Sequence, residues 1–293
     1  MELVYDYPLY RPPSESRSLI FQVTLGCSFN KCSFCDMYRS KDYSERPMED
    51  IFEEIELMAK YYPFTRRVFL ADGDAMNLDT EKLIKIIAKI RKNFKTIERI
   101  SCYSMPKNLL QKSADELMAL KTAGLDMVYL GIESGNDKIL KKVTKGATSD
   151  MIIKSCNKAK DAGFILSCMI ILGLGGRTYT IDHAKDTAMV ISKISPDYVG
   201  ALTLYMEPNI EKEFHEKFGE PFLPLEDSEV LSELHNLISN ISLKSNTIFR
   251  ANHASNVYAI GGTLPDDKVE ILQKIDQLKD HPELFKPKVL RRF

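Results

Sequence analysis

The chain has 293 residues, with 40 Lys and Arg against 41 Asp and Glu, so its formal net charge is −1. Hydrophobic residues make up 44% and charged residues 28%, a globular balance that excludes a disordered tail protein, a collagen-like rod and a disulfide-dense miniprotein. Near-neutral charge gives no support to an electrostatic nucleic-acid footprint, and a chain of this length buries a large core.

In chain order, short runs rich in Ile, Val, Leu, Tyr and Phe predict strands over 18–23, 67–71, 97–103, 127–132, 165–172 and 198–204. Between them apolar residues recur at three- and four-residue spacing. Ile51-Ile55-Met58, Leu83-Ile87-Ile90, Leu117-Leu120 and Ile152-Cys156-Ala159 each mark one buried stripe of a helix. Asp79 and Ser113 precede helices, while Gly124 and Gly163 stand where helices should stop. This alternation implies a parallel sheet with right-handed crossovers. About six strand–helix units fit between 18 and 245, too few for a complete eight-unit barrel. The expected class is α/β: a partial (β/α)6 TIM-type barrel over 1–245, with a C-terminal helical extension over 246–293 packed on it. Helices are expected over 227–246 and 266–279, with 248–262 irregular. The basic end, Lys286, Lys288, Arg291 and Arg292, reads as a solvated tail.

The opening stretch Met1–Pro8 has no basic region followed by an apolar one, so it is not a secretory signal. The longest apolar run, Met169 to Leu174, is interrupted at Gly173 and too short to span a bilayer. A cytoplasmic protein with reduced cysteines and no membrane partner is expected.

The informative segment is Gly26-Cys27-Ser28-Phe29-Asn30-Lys31-Cys32-Ser33-Phe34-Cys35-Asp36-Met37-Tyr38, directly after the first strand. Structural zinc usually takes four N or S ligands. Here no His or Cys occurs between Tyr38 and Cys102. Three thiolates with one ligand missing suit a [4Fe–4S] cluster with one iron left open. In a barrel the loop after a strand lies on the face where active sites are built. The alternatives are an incomplete zinc knuckle or three packing cysteines.

The segment resembles the signature of the radical S-adenosylmethionine (radical SAM) superfamily, in which three cysteines hold [4Fe–4S] and the open iron takes the amino and carboxylate groups of SAM. The usual spacing is Cys-x3-Cys-x2-Cys; Cys27, Cys32 and Cys35 give Cys-x4-Cys-x2-Cys, with one residue inserted. Phe34 and Tyr38 match the family. Together with Tyr10–Glu15 and Gln22–Cys27, the chain is similar to a poorly characterised branch near the coproporphyrinogen dehydrogenase-like and methylthiotransferase-like proteins. No upstream cobalamin-binding domain, no RNA-binding extension and no second cysteine cluster are expected.

The resemblance implies further positions. Asp72-Gly73-Asp74 stands where the family's Gly-Gly-Glu-like turn meets the SAM amino group, making Gly73 and Asp74 cofactor contacts; an N-capping Asp is the plain alternative. Gly131-Ile132-Glu133-Ser134-Gly135 is similar to the strand end whose polar residues face SAM. That points to Glu133 and Ser134, with a buried structural ion pair as the alternative for Glu133. Gly173 and Arg177 resemble the fifth-strand motif near adenine, and Ser167 lies on the same strand. An exposed helix-start Arg fits position 177 as well. Cys102, Cys156 and Cys168 read mainly as buried packing residues. Cys102 and His253 are the candidate catalytic groups, although a loop His is more often structural.

The activity so implied is reductive cleavage of SAM to methionine and a 5′-deoxyadenosyl radical that abstracts substrate hydrogen. A small-molecule substrate and an electron donor such as flavodoxin or ferredoxin go with it, and nucleic acid or peptide substrates stay open. The rival class is a scaffold in which the three cysteines hold zinc or a passive cluster.

Overall fold

Residues 5–291 are described by a computed structural model. Positions 1–4 of the opening stretch, and Arg292 and Phe293 at the basic end, lie outside the described residues. The six apolar runs form β1 (Leu19–Gln22), β4 (Arg67–Ala71), β5 (Arg99–Ser104), β6 (Met127–Glu133), β7 (Ile165–Leu172) and β8 (Tyr198–Thr203); β2 (Thr24–Leu25), β3 (Ser44–Glu45), β9 (Thr247–Ala251) and β10 (Ile260–Leu264) are further strands. The four striped windows form α1 (Met48–Tyr61), α2 (Thr80–Asn93), α4 (Ala114–Ala123) and α6 (Ser149–Asp161); α3 (Pro106–Gln111), α5 (Asp137–Lys142), α7 (Gly176–Ile194), α8 (Pro208–Phe218), α9 (Asp227–Asn240) and α10 (Lys268–Lys279) are further helices. The stripe Leu83, Ile87 and Ile90 is the buried face of α2. Ser113 starts α4 with a full capping box: its hydroxyl accepts from Glu116 N at 3.0 Å, and Glu116 accepts from Ser113 N at 2.7 Å. Among the described residues no helix is long and apolar enough to cross a membrane.

The chain divides into two compact units. The first takes residues 1–30, 37–130 and 154–166. Its strands pair in parallel: β1 with β4, β4 with β5, and β5 with β6 up to Leu130. Parallel strands buried on both faces need continuous apolar runs, and Val68, Phe69, Leu70 and Ala71 of β4 are all fully buried. Glu15 is also fully buried. Its carboxylate accepts from Arg99 at 2.7 Å, from the Tyr129 hydroxyl at 2.5 Å and from the Ser18 hydroxyl. A buried charge persists only when paired and hydrogen-bonded in this way.

The second unit takes residues 31–36, 131–153 and 167–293. Here β8 pairs in parallel with β7 and β9, and β10 runs antiparallel to β9. Neither unit by itself closes a barrel; each carries an open run of mostly parallel strands with helical crossovers, an α/β arrangement.

The C-terminal region departs from expectation in three places. The span 248–262, expected to be irregular, contains most of β9 and the start of β10. The polar run between them hides the strand signal. Those polar groups are themselves sheet partners: Asn256 Nδ2 donates to Ala201 O at 2.8 Å, and Thr203 N donates to Ser255 Oγ at 3.1 Å. Helix α9 ends at Asn240, short of 246, because side-chain oxygens take the next amides: Ser242 N donates to Ser192 Oγ and Lys244 N to Ser195 Oγ. At the basic end Lys288 stays solvated, with its side chain 74% exposed, whereas Arg291 does not. Arg291 is 8% exposed and donates twice to Asp227, at 2.6 and 2.8 Å, at the start of α9.

Replacing Arg99 by Leu strips the Glu15 carboxylate of its only cation among the described residues. Loss of one partner of a buried pair costs about 3–5 kcal/mol. Urea denaturation should show that loss as a lower midpoint at unchanged slope; a midpoint within experimental error of wild type contradicts it.

Candidate cofactor site

In the first unit the site grows from one buried carboxylate. Asp72 follows β4 and is fully buried. It accepts from Gln22 Nε2 at 3.0 Å, Gly26 N at 3.1 Å and Lys41 Nζ at 2.9 Å. Gly26 immediately precedes Cys27, so this carboxylate anchors the start of the cysteine segment. Asn30 then stitches the segment to its return: Nδ2 donates to Tyr38 O at 2.7 Å and to Lys41 O at 3.3 Å.

Gly73 is next to Asp72, and the Tyr38 ring lies against it. A Cβ at Gly73 would stand 2.5 Å from Tyr38 Cε2, so only glycine fits beneath that ring. Asp74 heads a single 3-10 turn yet makes no capping bond with its side chain. Instead it accepts from the Ser28 hydroxyl, next to Cys27. Burial pushes the Asp74 carboxyl up to about 7, against hydrogen bonds from Ser28 and Asn108 and the charge of Lys107. Cys102 is fully buried, and burial, with the Asp74 charge adding, pushes its thiol up to about 12. Such a thiol stays protonated at neutral pH.

In the second unit Cys32 and Cys35 sit in a tight turn, with Cys35 N donating to Cys32 O at 3.2 Å. The turn is pinned by Ser33 N to Val143 O at 3.0 Å and by Lys217 Nζ to Lys31 O at 3.0 Å. Phe34 packs on an aromatic core that includes Phe214, Phe218 and Phe222. Strand β6 ends on Glu133, whose φ of 63° is left-handed, a strained choice for a residue with a Cβ. Its carboxylate pairs with Lys145 at 2.9 Å. The same strand cedes space to this pair, because a Cβ at Gly131 would meet Glu133 Oε1 at 1.8 Å. Burial works against the Lys145 ammonium, but the charges of Glu133, Cys32 and Cys35 outweigh it and hold its pKa above the ordinary lysine value.

The turns after β6 and β7 share one buried network. His183 Nε2 donates to Ile171 O at 3.0 Å, so Nδ1 accepts from the Ser134 hydroxyl at 2.8 Å. Glu233 accepts from Gly173 N at 2.6 Å and from the Thr180 hydroxyl at 2.6 Å. Arg177 is 44% exposed and pairs with Glu229 at 2.9 Å. Ser167 is buried on β7 opposite Tyr198. His253 Nδ1 accepts from Ser255 N at 3.2 Å, and burial lowers its pKa, with Lys286 adding to the effect. It serves the loop that pairs with β8.

Cys27, Cys32 and Cys35 are half-buried, whereas Cys102, Cys156 and Cys168 are buried. Among the described residues no group of three or more His, Cys, Asp or Glu side chains is drawn together as a metal cage. The donor set nevertheless fits an iron–sulfur cluster in its chemistry: three half-buried thiols within one nine-residue span, with Lys145 Nζ 6.0 Å from the ring of Phe34 between two of them. Asp72, Lys41, Lys145, His183 and Glu233 were not singled out from sequence as separate site residues. Only Asp72 had a visible signal, an acid beside the Gly73–Asp74 turn.

The radical SAM superfamily profile matches residues 21–188, more than half of the chain. The chain belongs to that superfamily. It is 24% identical over 185 residues to a heme chaperone, HemW, from Bacillus subtilis, covering 60% of this chain and 48% of that protein. A putative methylthiotransferase from Methanocaldococcus jannaschii is 29% identical over 176 residues, covering 55% and 38%. The chain thus spans about half or less of these relatives. The solved coproporphyrinogen III oxidase HemN from Escherichia coli shares the fold, with a TM-score of 0.58 at 18% identity over 76% of this chain and 52% of that one.

Asp74 carries a pH dependence. Folding raises its carboxyl from 3.8 to about 7, so between those values the folded chain keeps a proton that the unfolded chain releases. Stability should therefore fall as pH rises from about 4 to 7 and level off above. Denaturation of Asp74→Asn across that range should show a shallower fall than wild type; parallel curves would refute it.

Proposed function

We propose that the chain is a radical SAM enzyme in which Cys27, Cys32 and Cys35 ligate a [4Fe–4S] cluster. The observation that carries this is the contrast among the cysteines: three half-buried thiols in one loop, three others buried in the core. A cluster held by Cys27, Cys32 and Cys35 would supply the electron for reductive cleavage of SAM, the source of a radical for hydrogen abstraction from substrate. The protein's part is to bind, orient and exclude water. Asp74 and the backbone at Gly73 offer acceptors for an ammonium group. Glu133 and Ser134 offer polar contacts at the end of β6, and the turn at Gly173 offers open backbone. Phe34 and Tyr38 flank the cysteines with apolar surface that limits solvent access. A small-molecule substrate, a flavodoxin- or ferredoxin-type donor and a reducing, cytoplasmic setting complete the proposal.

Anaerobic reconstitution tests it. Wild type should take up iron and sulfide and, with SAM and dithionite, release 5′-deoxyadenosine. Alanine at Cys27, Cys32 or Cys35 should each abolish the cluster, whereas alanine at Cys102, Cys156 or Cys168 should keep it. Stoichiometric zinc without iron would establish the passive scaffold instead.

A further inference from the structure

We infer that Lys145 sets the reduction potential of the cluster, and that Glu133 opposes it with the contrary sign; this rests on the cluster assignment above. The pair is largely shielded from solvent, with side chains 11% and 12% exposed, and is joined at 2.9 Å. Lys145 Nζ stands 6.0 Å from the centroid of the Phe34 ring, and Phe34 directly precedes Cys35. Ser33, between Cys32 and Phe34, is bonded to Val143, two residues before Lys145, so the cysteine turn and the lysine belong to one clamped piece of backbone. Gly131 shows that the position is built: a Cβ there would come 1.8 Å from Glu133 Oε1 and 3.0 Å from Lys145 Nζ. The chain leaves out one side chain in mid-strand to seat these two charges.

A surface Lys–Glu pair would do nothing at a distance, because water and salt screen it. This pair sits where screening is weak. Reduction brings one electron from an external donor onto the cluster and makes it more negative by one charge. A shielded cation against the Phe34 ring, which lies between Cys32 and Cys35 in the chain, stabilises that state, and a shielded carboxylate destabilises it. Glu133 is needed to keep the ammonium in place, but it subtracts from the field. The two residues therefore act with opposite signs on one equilibrium, which no packing role would produce.

The experiment is an EPR-monitored redox titration of the reconstituted full-length chain without SAM, with dithionite and mediators. Lys145→Met should cut the reduced-to-oxidised ratio at a fixed potential by about tenfold, a shift of about 59 mV to lower potential for a one-electron couple. Lys145→Arg should stay near wild type because the charge is kept, and Glu133→Gln should shift the other way, to higher potential. Equal iron content in each variant separates these shifts from cluster loss. If Lys145→Met loses its cluster, Lys145→Arg and Glu133→Gln still decide. A full cluster whose potential ignores both charges, or moves the same way for both, overturns the inference and leaves the proposed function standing. A wild-type chain that takes up no iron overturns both.

Discussion

Asp72 keeps a negative charge in a place that water does not reach. A lone carboxylate there is prohibitively costly, so the surrounding chain has to supply its partners. It does so from three separate stretches: Gln22 at the end of β1, the amide of Gly26 and the ammonium of Lys41. The cysteine segment leaves and returns between the last two. Its start and its return are therefore tied to one atom group, and Gly73 and Asp74 follow immediately in sequence. Much of the first unit's ligand-facing geometry depends on this single acid finding its donors.

The second unit repeats the device with different residues. Glu233 is buried and accepts the amide of Gly173, where the chain turns after β7. His183 then joins that turn to Ser134 through its two ring nitrogens. In each unit a buried acid holds a glycine amide of a strand-end turn. Such turns have few apolar contacts of their own, so a charge-assisted hydrogen bond from behind is what gives them a defined shape.

Legibility followed physical range. Strands such as β4 and β7 were readable to the residue because burial on both faces writes a local apolar run. The cysteine segment was readable because three thiols in nine residues have few other uses. Asp72, Lys145, His183 and Glu233 escaped because their meaning lies in partners 12 to 60 residues away, and no local pattern marks a buried pair. The strands around 250 and 262 escaped for the opposite reason. Their polar neighbours, Ser255 and Asn256, are busy with β8, and that made a paired segment read as a loop. Arg291 looked like any tail charge, and only its contact with Asp227 gives it a place.

The close approach of Tyr38 to Gly73 has an evolutionary consequence. The ring occupies the volume that a methyl group at position 73 would need. Neither position can drift alone: growth at 73 requires shrinkage at 38, and a smaller residue at 38 leaves a hollow that glycine cannot fill. In lineages descending from this sequence the two sites should therefore exchange bulk as a correlated pair, although 35 positions separate them.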